Sequence, residues 1–343
     1  MKVTIKDVAK VAGVSFKTVS RVINKDPTVG KELQEKVWAA VKELNYQPNL
    51  SARLLRGAPS SIGFIYDNPN SHYVIEMQHG ILAECLKQDY ELVIHPCDSK
   101  SPDICDELVR MVMRSRVAGL VLTPPLSEMP SVVQALKDQN IAFVRILSGS
   151  EAPDDLSPCV YVDDRNAAFH VTQYLIELGH KKIAFLSGDS AHRSTLERLQ
   201  GYRDALKENG IAVNEEFIIS GEYSFESGVQ RTKSLLIKED KPTAIFACND
   251  EIAAGTLFAA RLMGVAVPQE LSIAGFEDSP FSRQTWPKLT TAEQPNNLIA
   301  QRAAALLIAE TRQGKRNHSE QEAIENGFSP QLIVRDSTCP VRI

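Results

Sequence analysis

The chain has no run of apolar residues approaching the ~20 that cross a bilayer. Its opening carries Lys2, Lys6, Asp7 and Lys10 where a signal peptide needs an unbroken apolar core. Neither membrane insertion nor secretion is expected, which points to a cytoplasmic protein. Cysteine is sparse: the six residues at 85, 97, 105, 159, 248 and 339 form no CxxC pair and have no histidine nearby at ligand spacing. Scattered in this way they read as reduced thiols, not as a disulfide framework. The seven histidines (72, 79, 95, 170, 180, 192 and 318) show no metal-ligand pattern either. No metal and no cofactor is expected, and only His72 and His192 fall in loops that could face a cleft. Also missing are a G-x-S-x-G elbow, a G-x-G-x-x-G after the first strand, a Walker lysine and H-E-x-x-H. The sequence therefore gives enzymatic chemistry no visible seat.

What remains is ordinary globular material: 343 residues, 43% hydrophobic and 24% charged, enough for two or three domains with real cores. The charge is unevenly placed. Residues 1–57 hold 11 Lys and Arg against 5 Asp and Glu, a net of +6, whereas positions 58–343 hold 27 against 38, a net of −11. A basic head on an acidic body suits a chain whose head alone meets a polyanion. Counterion release would then supply the head's affinity for DNA.

The head reads as three helices. Thr4, with Asp7 three residues on, starts the first, and Gly13 ends it. Ser15 opens the second, in which Val19, Val22 and Ile23 form one face, while Phe16, Lys17, Ser20 and Arg21 lie away from it. A third helix over about 31–45 offers Leu33, Val37, Ala40, Val41 and Leu44 to close the core. Two helices joined by Ala12-Gly13-Val14 make a helix-turn-helix, whose second helix can enter a major groove. Phe16, Lys17 and Arg21 are the candidate base contacts; Ser15, Thr18, Ser20, Asn24 and Lys31 suit phosphates. In the following segment, Tyr46 to Gly57, Pro48 breaks the third helix and Asn49 can cap a short new one.

From Ser61 onward, short apolar runs alternate with helical patterns. Strands are expected at 62–66, 91–95, 118–122, 141–145, 160–163, 182–186, 217–220, 243–247, 271–275 and 331–335. Such alternation argues an α/β body of parallel sheets covered on both faces, and ten strands divide better between two doubly wound lobes than into one. The cleft between the lobes, beyond the C-terminal strand ends, is the default ligand site.

Several blocks then carry a resemblance over nearly the whole chain. Thr4-Ile-Lys-Asp-Val-Ala9, Ala12-Gly-Val-Ser-Phe-Lys-Thr-Val-Ser-Arg-Val-Ile-Asn24, Tyr46-Gln-Pro-Asn49, Leu178-Gly-His180, Arg198-Leu-Gln-Gly201, Ala247-Cys-Asn-Asp250 and Pro268 to Phe276 resemble, in order, the lactose-repressor/galactose-repressor (LacI/GalR) family of bacterial transcription regulators. The resemblance implies a helix-turn-helix domain over 1–47, a hinge helix over 48–58, and a periplasmic-binding-protein-like domain over 59–338. It further implies that lobe 1 comprises about 59–161 and 291–322, and lobe 2 about 162–290 and 323–338. On that analogy Leu55 of each hinge wedges into the minor groove at a central CpG step, with Ala52 and Arg53 beside it. Thr4 and Asn49 join the DNA-binding set. In the cleft, Arg198, Asn249, Tyr223 and Tyr73 match effector-binding positions, and Val74 replaces a second aromatic. Glu277 stands where the family more often has aspartate. Thr123 and Asp163, at strand ends, complete the expected effector set.

The function so implied is that of a homodimeric repressor of carbohydrate-utilisation genes, cytoplasmic and associated with the nucleoid. It would bind a palindromic operator and respond allosterically to a small sugar or sugar phosphate. Two other readings share the body: a sugar-binding receptor without DNA function, which the basic head opposes, and a regulator governed by a phosphoprotein corepressor. The tail after Arg335 is too short for the additional helix of tetrameric relatives, so a dimer is expected.

Overall fold

The computed structural model describes residues 3–23, 28–44, 46, 61–67, 72–149, 154–313 and 326–341. The chain divides into two compact units, 1–60 and 61–343. In the first, α1 (Ile5–Ala12), α2 (Phe16–Ile23) and α3 (Lys31–Glu43) pack around Val8, Val19, Val22, Val37 and Ala40. Local chemistry sets the ends of α1. The Asp7 carboxylate accepts from Thr4 N (2.8 Å) and Thr4 Oγ1 (2.7 Å), and these bonds hold its pKa below the usual value. Gly13 takes the left-handed conformation (φ 65°) that a helix end favours in glycine. Ser15 Oγ accepts from Thr18 N (3.1 Å) at the start of α2. Leu33, expected in the core stripe of α3, is instead 39% exposed in the helix's first turn, and the buried positions of α3 are Val37 and Ala40.

The second unit contains two parallel sheets. The first has the order β11-β5-β4-β3-β1-β2, built from β1 (Ser61–Tyr66), β2 (Glu91–Pro96), β3 (Gly119–Leu122), β4 (Ala142–Ser148), β5 (Cys159–Val162) and β11 (Gly327–Phe328). The second has the order β7-β6-β8-β9, from β6 (Ile183–Leu186), β7 (Ile218–Ile219), β8 (Ala244–Ala247) and β9 (Ser272–Ala274). Beside β9 lies an antiparallel pair, β10 (Thr291–Glu293) with β12 (Gln331–Ile333), joined to it by an Ala274–Thr290 bridge. Nearly continuous apolar burial along β1, β3, β6 and β8 is what a sheet covered on both faces requires. All ten expected strands are present, while β10 and β11 were not anticipated.

Helices α4 (His72–Gln88), α5 (Ile104–Ser115) and α6 (Pro130–Asp138) cover the first sheet; α7 (Asp164–Glu177), α8 (Arg193–Glu208), α9 (Phe225–Leu236) and α10 (Asp250–Leu262) cover the second. The short α11 (Pro280–Gln284) follows β9, and α12 (Asn296–Gln313) returns to the first lobe, where Ile299, Ala303 and Leu307 join its core. Gly80 lets α4 and α12 approach closely, since a Cβ there would lie 2.2 Å from Asn297 O. The chain thus crosses between lobes three times: after Val162, between Glu293 and Asn296, and between Phe328 and Gln331. Two expected boundaries are corrected. The crossing placed near 290 follows β10, and that placed near 322 follows β11, because β11 pairs with β5 in the first sheet.

Candidate functional site

A cavity of about 480 Å³ lies between the lobes of the second unit. Its walls are the C-terminal ends of parallel strands: Asp67 follows β1, Thr123 follows β3, Ser148 ends β4, Val162 ends β5, Asn249 follows β8 and Glu277 follows β9. That is where side chains converge in open α/β sheets. Of the seven residues expected to bind an effector, six line this cavity: Tyr73, Thr123, Arg198, Tyr223, Asn249 and Glu277. The seventh, Asp163, does not. Its carboxylate caps α7 by accepting from Asn166 N at 3.1 Å.

Asp164, the next residue, faces inward. The buried positions of α7 are 164, 167, 168, 171, 172 and 175, a helical stripe that places Asp164 on the same side as Ala167 and Val171. This periodicity was the available signal for it. Asp164 Oδ1 accepts from Arg198 Nε at 2.7 Å, and Ser148 Oγ donates to Asp164 Oδ2. Arg198 is buried in α8. Its Nη1 donates to Cys248 O (2.6 Å), its Nη2 to Gln294 Oε1 (3.3 Å), and its plane lies 3.8 Å from the ring centre of Phe276. Burial pulls its pKa down, but Asp164 foremost among its anionic neighbours pulls it further up, so the group stays cationic.

Glu277 sits opposite, at φ 100°, a region that few residues other than glycine adopt. Glu277 N donates to Ala292 O at 2.8 Å, which fixes this backbone turn against β10. Its carboxylate lies 3.9 Å from Arg198 Nη1. Burial, opposed by Arg198 and reinforced by Asp164, pushes its pKa up to about 7. Asp250, buried behind it, is pushed up to about 8 by burial, although Thr291 Oγ1 (2.6 Å) and Ser279 N (2.7 Å) donate to it.

The Tyr223 ring lies over Gly188, where a Cβ would come within 2.2 Å of it, and its hydroxyl meets Thr195 Oγ1 at 2.7 Å and Cys248 Sγ at 3.3 Å. His192 stands edge-on to that ring at 5.6 Å; burial lowers its pKa, which favours the neutral form. Asn249 has two roles, since its Oδ1 caps α10 by accepting from Ile252 N (2.9 Å) while the residue lines the cavity. Thr123 is buried and donates to Ile65 O. Burial raises the pKa of the half-buried Tyr73 hydroxyl, with Glu277 adding to the effect.

Besides the Ser148–Asp164 bond, three further contacts bridge the lobes around this cavity. Glu128 accepts from Ser148 N in the first lobe and from Arg193 N in the second, each at 3.2 Å. Lys100 Nζ lies 3.8 Å from Asp189 Oδ2, and the His72 ring meets Phe281 edge-on at 5.8 Å. Sequence reasoning missed Glu128, Asp164 and Gln294. Only Asp164 carried a periodic signal; the other two act through chain segments remote in sequence.

In the first unit, α2 turns Val19 and Val22 inward and leaves Phe16 (57% exposed), Lys17 and Arg21 outward, with Ser20 half-exposed beside them. Arg21 Nη2 donates to Thr28 Oγ1. Thr4, Ser15 and Lys31 are exposed and Thr18 half-buried; the hydroxyls of Ser15 and Thr18 meet at 2.9 Å. Asn24, Asn49, Ala52, Arg53 and Leu55 lie outside the described residues. Among the described residues no helix is long and apolar enough to cross a membrane.

Residues 4–49 match the model of bacterial regulatory proteins of the lacI family, and 172–338 match a periplasmic binding protein-like domain. The chain is 33% identical over 338 residues to the HTH-type transcriptional repressor PurR of Haemophilus influenzae (strain PittEE), covering 97% of this chain and 98% of that protein. It is similar in structure to the Lac repressor dimer bound to operator and the anti-inducer ONPF (TM-score 0.75, 27% identity, 99% and 100% of the two chains). It is also similar to a complex of the transcriptional regulator CelR with cellobiose (TM-score 0.73, 26% identity, 98% and 100%). The α/β architecture, the helix-turn-helix head and the repressor relatives agree, and the chain belongs to the LacI family of bacterial regulatory proteins.

Proposed function

We propose that the protein is a cytoplasmic repressor of carbohydrate-utilisation genes, acting as a homodimer on a palindromic operator in the nucleoid. A small sugar or sugar phosphate bound between its lobes changes its operator affinity. The observation that carries the reading is the convergence of Tyr73, Thr123, Arg198, Tyr223, Asn249 and Glu277 on one interlobe cavity. Aromatic faces beside hydrogen-bonding groups suit a pyranose, which is apolar on its faces and polar at its rim. Phe16, Lys17 and Arg21 read base edges; Ser15, Thr18, Ser20, Asn24 and Lys31 hold phosphates, with Thr4 and Asn49. In the hinge, Leu55 wedges into the minor groove beside Ala52 and Arg53. The effector favours one lobe arrangement, and because coupling is reciprocal the operator shifts effector affinity by the same factor.

Fluorescence anisotropy of a labelled palindromic duplex with a central CpG, drawn from upstream of the gene, tests this. Salt-dependent, sequence-selective binding that one sugar releases or tightens is expected. Arg21→Ala should cost about 1–3 kcal/mol and relax base selectivity. Leu55→Ala should weaken operator binding while sugar binding persists. Sugar binding without any DNA binding overturns the regulator reading.

A further inference from the structure

The charges around the cavity are out of balance. Among the described residues only two cationic side chains line it, Lys100 and Arg198, and each faces a carboxylate: Asp189 at 3.8 Å and Asp164 at 2.7 Å. Against these two cations, six carboxylates line the same space: Asp67, Asp164, Asp189, Glu222, Glu251 and Glu277. Arg198 is largely committed within the protein: Asp164, Cys248 O and Gln294 take three of its five N–H donors, and Phe276 covers one face. Among the described residues no hydrogen-bond donor reaches the Glu277 carboxylate, whose nearest cation is Arg198 Nη1 at 3.9 Å.

Helix N-termini are the other usual seat for a phosphate. In the second lobe four of them are already filled by oxygen acceptors. Asp163 caps α7, Ser224 caps α9 and Asn249 caps α10, while the Glu128 carboxylate reaches across the cleft to Arg193 N at the start of α8. An incoming phosphate would meet acceptors and an excess of carboxylates where it needs donors.

On the carbohydrate reading above, we propose that the effector is an uncharged, hydroxyl-rich molecule, and that the cleft rejects its phosphorylated or carboxylated counterparts. A ligand hydroxyl donates to the Glu277 carboxyl, which supplies the acceptor and, when ionised, repels anions. The site thereby separates a free sugar from the form in which a kinase or oxidase would leave it.

Titration calorimetry of the full chain with matched pairs tests this: glucose and its phosphate, galactose and galacturonate, cellobiose and its aldonic acid, inosine and its monophosphate. The neutral member of whichever pair binds should bind at least about tenfold more tightly than the anionic one. Equal or tighter binding of the anionic member overturns the proposal. If only the inosine pair binds, the carbohydrate reading fails while the charge rule is still decided by the ratio within that pair. No binding by any member at millimolar concentration overturns both. Glu277→Gln should narrow the ratio several-fold, and an unchanged ratio removes Glu277 from the discriminating role.

Discussion

The two lobes furnish the cavity unequally. The first contributes nearly all the apolar lining, Val74, Pro124, Pro125, Ile146, Leu147 and Val162, beside polar groups that include Asp67, Tyr73, Lys100 and Thr123. The second contributes Asp164, His192, Arg198, Asn249 and Glu277, together with the Tyr223 hydroxyl. Apolar lining thus comes almost wholly from one wall, while hydrogen-bonding groups come from both and dominate the second. A ligand held by the second lobe gains strength from its polar contacts once the first lobe closes, because those contacts are then made away from bulk water.

Breaking the polar wall should have the largest effect. Arg198→Ala leaves Asp164 buried without its cation, a loss of about 3–5 kcal/mol in unfolding free energy. Effector binding should vanish with it, and thermal unfolding with calorimetry reads both. Gly188→Ala is next: its Cβ displaces the Tyr223 ring, at about 1–3 kcal/mol for an overpacked site. Effector affinity should fall while the first lobe's own stability is kept, as hydrogen exchange can report region by region.

The Glu277 carboxyl allows a sharper comparison, through pH. Its folded pKa, about 7, lies above its ordinary value, so the folded state holds the proton more tightly than the unfolded chain. The stability this proton contributes is present below about pH 4.5 and lost as pH rises to about 7. Glu277→Gln should therefore flatten that part of the stability profile measured by denaturant titration. Retention of the full slope would place the titrating group elsewhere, with Asp250 the next to test. The smallest effect belongs to the apolar wall. Val74→Ala should cost about 1–2 kcal/mol of stability, from two lost methylene equivalents, and weaken neutral and charged ligands alike.

Much of this fold is legible in sequence because its signals are local. The start of α1 is written in Thr4 and Asp7, its end in Gly13, and each core strand in a short apolar run between turns. β10 and β11 escape because Thr291-Ala-Glu293 and Gly327-Phe328 carry no such run; partners distant in the chain define them. The candidate site divides in the same way. Arg198, Asn249 and Glu277 sit in blocks that can be matched along the chain, whereas the bridging role of Glu128 arises only when Ser148 and Arg193 meet. Asp163 and Asp164 adjoin at the start of α7, and the helix's buried stripe turns Asp164, not Asp163, toward the cavity.

The three crossings limit how the lobes can move. Three separate tethers between two lobes resist sliding more than bending, so opening and closing reduce to rotation about the crossings at Val162, Gln294 and Ser329. α12 starts immediately after the second tether and runs along the first lobe against α4, so it turns as a stiff lever fixed at its hinge. Displacement grows with distance from those crossings. A change of a few tenths of an ångström at a ligand hydroxyl therefore becomes a larger stroke at the far rim of the first lobe, with no new contact required along the way.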